Sequence, residues 1–177
     1  MNNQAVKIML EDCCKELESI SSLLTGYCEG ALPKTCMKKY AVIRATGTIE
    51  TGFKTIIADR VDRDSHQQLK NFVAIKIRKS STNPKLDRIE NLLKEFDAHW
   101  RTRFREKVAF SDKLELENAL TKLVESRNSF AHGGVQVLAI EDTIRYFNHG
   151  CKVLLLLDQT VHEEVELPEN AEEKGMI

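Results

Sequence analysis

A chain of 177 residues with 42% hydrophobic content holds enough apolar side chains for one domain with its own core. Its formal net charge of -1 excludes a protein that coats nucleic acid by bulk attraction, so any such contact must come from a local basic patch. The five cysteines form no CxxC pair or zinc spacing, charges interrupt the first apolar stretch, and the longest apolar run is only Val153 to Leu157; these features predict a cytoplasmic chain with reduced thiols, no signal peptide and no membrane span.

Apolar positions recur at helical spacing almost throughout. Met9, Leu10, Cys13, Leu17, Ile20 and Leu24 share one face, which predicts a first helix ending near Gly26. Adjacent Cys13 and Cys14 read as small buried residues on that helix. After a loop with Gly30 and Pro33, a second long helix runs from about Lys34 to Asp59. Gly47 and Gly52 inside it cost roughly 1 kcal/mol each relative to alanine, and are expected to mark close approach of another helix. Ser65 to Ile77 predicts a shorter helix with Leu69, Phe72, Val73 and Ile77 inward.

Arg78 to Asn83 is a polar loop, after which Asn83 serves as N-cap and Pro84 as first residue of a helix carrying Leu86, Ile89, Leu92, Leu93 and Phe96. That helix either continues or breaks before Trp100. The next begins at Ser111 and stops at Gly133-Gly134, and the last spans about Ile140 to Val161. The expected fold is all-α, a compact up-and-down bundle of about five to seven helices. It forms a single domain over 1–162, with 1–30 as an N-terminal helix extension, and an acidic, disordered tail over 163–177.

The run Arg127-Asn128-Ser129-Phe130-Ala131-His132 places a fixed cation, an amide and an imidazole at the predicted end of a helix. Arginine presents a planar fork that matches phosphate oxygens, and histidine exchanges protons near neutrality. RNA supplies its own nucleophile, the 2′-hydroxyl. A base for that proton and a cation for the phosphorane suffice for transesterification, with no metal or other cofactor. The spacing alone is weak, since ten arginines and five histidines in this length give about 0.3 such pairs by chance. Five positions also turn about 140° around a helix, so His132 must project from the helix end to share a site with Arg127. A plain reading stays open, in which Arg127 makes a surface ion pair and His132 caps the helix.

Arg127-Asn128-x-x-Ala131-His132-Gly133 in a small helical chain resembles the signature of the HEPN superfamily. Ala45 to Phe53, Asn83-Pro84-Lys85, Ile89 to Phe96 and Tyr146 to Asp158 also match, most closely the RiboL-PSP-HEPN branch, over roughly Ala31 to Val161. The resemblance implies a homodimer whose two motifs meet in one cleft. It also implies a metal-independent endoribonuclease of a toxin–antitoxin, phage-defence or RNA-processing system, with RNA as substrate and an antitoxin or other regulatory protein as a further partner. By motif position Arg127 and His132 become the catalytic pair, Asn128 a polar helper, and Glu50 an accessory acid fixing Arg127 or His132. The chain departs from the branch in carrying Gly47 and Thr48 before that acid, and the plain reading of Glu50 is an exposed helix carboxylate. The rival function is a non-catalytic RNA- or protein-binding module on the same fold.

Two basic stretches remain. Trp100 to Lys107 interleaves aromatics with Arg101, Arg103 and Arg105, a pattern that either tracks RNA or forms a solvated helix face. Lys76, Arg78, Lys79, Lys85 and Arg88 cluster around a loop, and Lys79 is the candidate RNA contact there.

Overall fold

The computed structural model describes residues 1–63, 65–134 and 138–163. Among the described residues there are seven α-helices and no strand. They are α1 (Gln4–Leu24), α2 (Leu32–Asp62), α3 (Gln67–Val73), α4 (Leu86–Phe96), α5 (Ala98–Phe110), α6 (Lys113–Ala131) and α7 (Ile140–His162), and a π-helical turn, Ala74–Arg78, extends α3.

Long α2 and α7 form the centre, with α1 and α6 packed against both. One continuous core takes Leu10, Cys13 and Leu17 from α1, Ile49, Phe53 and Ile57 from α2, Leu120 and Leu123 from α6, and Phe147, Leu154 and Leu157 from α7. The first helix is therefore part of the main core. Its start is fixed twice: Asn3 Oδ1 accepts from the Val6 amide at 3.0 Å, and fully buried Asp158 of α7 accepts from the Asn2 and Asn3 amides.

Gly52 and Gly150 permit the close packing of α2 on α7. A Cβ on Gly52 would lie 2.5 Å from Leu154 Cδ1, and one on Gly150 would strike the Ile49 side chain. Gly47 does not share this role, because nothing lies within 4 Å of where its Cβ would be. Cys13 is buried as expected, whereas Cys14 is half-buried and its thiol donates to Glu18 at 3.5 Å.

Two local expectations fail. Leu69 and Phe72, predicted inward, are 42% and 53% exposed. The small cluster that α3 closes on α2 holds only Ala58, Val73 and Ile77, with Val61, Leu92 and Phe96 at its margin, so Leu69 and Phe72 lie outside it. Asn83 and Pro84 do not open a helix: α4 begins at Leu86 behind Lys85, without a side-chain cap, and the Asn83 amide is used elsewhere. Between α4 and α5 the helical path breaks at Asp97, whose extended backbone and carboxylate, accepting from the His99 amide at 2.7 Å, start α5. Residues 164–177 of the expected tail lie outside the described residues. Glu163, just before them, pairs with Arg103 and Lys107.

Candidate functional site

Glu50 sits on the middle of α2, and three groups converge on its carboxylate. Lys54, one turn along, donates to Oε1 at 2.8 Å, and so does the Thr82 amide at 3.1 Å. Arg127 of α6 donates from Nη1 to Oε2 at 3.1 Å. Glu50 is thus a half-buried, fully engaged carboxylate, and the exposed helix acid of the plain reading is corrected. Burial by itself would raise its pKa. The Lys54 ammonium, the Thr82 amide and the Arg127 guanidinium outweigh it and hold the carboxyl below the usual glutamate range.

Arg127 is held on its other arm as well. Its Nη2 donates to Asn83 Oδ1 and, at 3.4 Å, to Asn128 Oδ1. A guanidinium has five N–H donors. Three are engaged here, which leaves one Nη1 hydrogen and the Nε hydrogen without a protein acceptor among the described residues. Lys54 also reaches the Ser80 carbonyl at 2.6 Å, so the 80–83 loop, α2 and α6 are tied through one charged network.

The end of α6 sets His132. Its amide bonds back to Asn128 O and Ser129 O, the Gly133 amide to Phe130 O, and the Gly134 amide to Ser129 O at 2.7 Å. This is the closing pattern that requires a left-handed residue after the cap, and Gly133 takes φ 77. Gly134 passes so close that a Cβ there would lie 2.8 Å from Ser129 O. Between the fixed helix and this turn His132 is exposed, with no side-chain hydrogen bond or ion pair among the described residues. Lys39 of α2 rests over the Phe130 ring at 5.5 Å, a second tie between α2 and the last turns of α6.

A scan of protein-family models matches RiboL-PSP-HEPN over residues 9–163. The chain belongs to that family. No curated protein and no solved structure matched it. Membership of RiboL-PSP-HEPN accords with a nuclease or other RNA-related function and with an all-α bundle. Among the described residues no helix is long and apolar enough to cross a membrane, and no three His, Cys, Asp or Glu side chains gather as a metal set would.

Within this HEPN bundle the fold brings Glu50, Arg127 and Asn128 together and leaves His132 at the end of the same helix. The α5 cations stand apart. Arg105 pairs with Glu90 at 3.3 Å, Arg103 with Glu163 at 3.7 Å, and Arg101 is half-buried with its Nε unbonded. Trp100 packs beside Arg60, ten residues along α2 from Glu50, or about 15 Å of helix rise. Lys79 is exposed and directly precedes Ser80. Two members of the network escape a reading of the sequence. Lys54 had a signal, the i,i+4 spacing from Glu50. Asn83 had a misleading one, because an Asn-Pro pair looks like the start of a helix.

Proposed function

We propose that the chain is a metal-independent HEPN endoribonuclease that cuts RNA by transesterification, with Arg127 and His132 as its catalytic residues. The observation that carries this reading is the contrast within one helix end: among the described residues Arg127 is fixed on three acceptors with two donors to spare, while the His132 ring five residues on is exposed and unpartnered. In the reaction an imidazole takes the proton of the 2′-hydroxyl, and the 2′-oxygen attacks phosphorus. The spare Arg127 donors stabilise the phosphorane oxygens, the bond to the 5′-oxygen breaks, and that oxygen is protonated as it leaves. The products are a 2′,3′-cyclic phosphate and a 5′-hydroxyl. In a homodimer two copies of the motif would face one cleft, so that one His132 acts as base and the other as acid. Asn128 and Glu50 act through Arg127, as positioning residues.

The test is cleavage of single-stranded RNA in the presence of a chelator, with analysis of product ends. Cyclic phosphate ends that disappear with His132→Ala support the reading, as does growth arrest on expression that the same substitution relieves. An undiminished rate in that variant overturns it. A non-catalytic RNA- or protein-binding module is the second reading, favoured by the ion pair that ties Arg127 to Glu50. Its signature is binding without any cleavage by the parent chain.

A further inference from the structure

A groove of 560 Å³ lies between the α3 segment and α4, closed at one end by the 80–82 loop. Its lining combines aromatic and cationic side chains. Phe72 and Phe96 give it aromatic walls, and Phe72 is half exposed to solvent. Lys76 and Arg88 stand over it as exposed cations, and Lys79 and Lys85 flank it on the connecting loop. Arg78 does not join them, being held by Asp59 at 2.7 Å and Asp62 at 2.8 Å. The contact of Arg88 with Asp87, at 3.8 Å between two exposed side chains, is too weak to neutralise it. Among the described residues Glu95 is the one acid in the lining.

The loop that bounds the groove also carries the Arg127 network. Thr82 lines the groove and donates its amide to Glu50, and the next residue, Asn83, holds Arg127. We propose that this groove is a nucleotide subsite on the RNA path, in which an unpaired base packs against Phe72 and Phe96 while Lys76 and Arg88 take the adjoining phosphates. Stacking on an aromatic ring requires a base free of its partner, so the occupant is single-stranded RNA; a duplex cannot enter. An acidic protein surface would answer the cations but would leave the exposed phenyl ring without a use. The inference rests on the RNA-cutting reading and deepens it by assigning how the strand is held beside Arg127.

The test measures binding by fluorescence anisotropy, using a short labelled oligoadenylate methylated at every 2′-oxygen. That probe cannot be cut, so the result does not depend on the catalytic assignment, which His132→Ala tests separately on cleavable RNA. Phe72→Ala should weaken binding roughly five- to hundred-fold, and Phe72→Trp should retain it where Phe72→Leu does not. Because Phe72 is half exposed, the melting temperature of these variants should stay close to the parent value. Lys76→Ala with Arg88→Ala should lower the slope of log affinity against log salt by about 1.4, two phosphates at about 0.7 each for a single strand. Unchanged affinity in Phe72→Ala, or an unchanged salt slope in the double variant, overturns the subsite. So does binding of oligoglutamate through Lys76 and Arg88 by a chain that does not bind the RNA probe.

Discussion

Glu50 and Arg127 meet at 3.1 Å across 77 positions of sequence, joining the middle of α2 to the last turns of α6. The carboxylate is shared with Lys54 at 2.8 Å, so it separates and aims two cations. Glu50→Ala removes the anion and leaves both cations facing each other in a half-buried site. The expected cost is about 3 kcal/mol of stability, read from denaturant unfolding, together with a fall in RNA cleavage. Glu50→Gln keeps an acceptor for the Thr82 amide, and should lose cleavage with a smaller loss of stability. An alanine variant as stable as the parent would show that the network contributes nothing to the fold.

The pH dependence of this pair has a definite sign. Burial alone would raise the Glu50 pKa, but Lys54, the Thr82 amide and Arg127 lower it below that of an unfolded glutamate. The unfolded chain then takes up the proton first as pH falls. The stabilisation is therefore complete above the ordinary glutamate value of about 4.3, and is lost as pH drops through the lower folded value. Melting curves of the parent and Glu50→Gln should be separated by a constant gap near neutrality and converge in acid. A gap that widens in acid would contradict the direction of the shift.

Arg127 is engaged as a fork, not as a point charge, since its two terminal nitrogens serve three different acceptors. Arg127→Lys keeps the charge but cannot reach Glu50, Asn83 and Asn128 while presenting further donors. Lysine here should preserve most of the stability and still lower the cleavage rate by at least about tenfold, a fraction of what a lost transition-state donor costs. Equal rates for the two residues would mean that the planar geometry is unused.

How much of this was legible beforehand differs residue by residue. The α1 face was readable because Leu10, Cys13, Leu17, Ile20 and Leu24 obey the helical period and all are buried. The end of α6 was readable because Gly133 takes the left-handed conformation that glycine adopts without strain. The Asn83 amide was misread because local rules see a cap before Pro84, whereas a long-range partner, Arg127, claims it. Leu69 and Phe72 were misread because periodicity ranks apolar positions without knowing how small the receiving cluster is. The groove that Phe72 borders was visible only as a cluster of cations around a loop, because its aromatic walls come together only when the α3 segment faces α4.

The three helical glycines of α2 and α7 should respond differently to alanine. Gly47 faces open space inside a helix, so Gly47→Ala should stabilise the fold by about 1 kcal/mol through propensity alone. At Gly150 a Cβ would strike Ile49 and come within 3.5 Å of Leu120, so Gly150→Ala should destabilise by roughly 1–3 kcal/mol. Gly52→Ala clashes with the far end of Leu154 alone, its other neighbours, Met9 and Val6, lying at an ordinary 3.5 Å, and should fall between them. Denaturant midpoints for the three variants check the order, and a stabilising Gly150→Ala would place the helices further apart than described.

Thiol reactivity reports on the seam between α1 and α7. Burial pushes the Cys151 thiol up to about 12, with the nearby Cys13 and Cys14 adding to it. Burial also raises Cys13 against the opposing pull of Thr48 and Arg44, while Cys28 and Cys36 are exposed. At pH 8 about 10⁻⁴ of Cys151 would be thiolate, against roughly a quarter of an ordinary thiol, and only the thiolate attacks an alkylating reagent. Iodoacetamide on the native chain should therefore mark Cys28 and Cys36 first by peptide mass mapping, half-buried Cys151 slowly, and Cys13 only after unfolding. Labelling of the fully buried Cys13 at the rate of Cys28 in native buffer would mean that α1 lifts from the core far more often than a closed core permits.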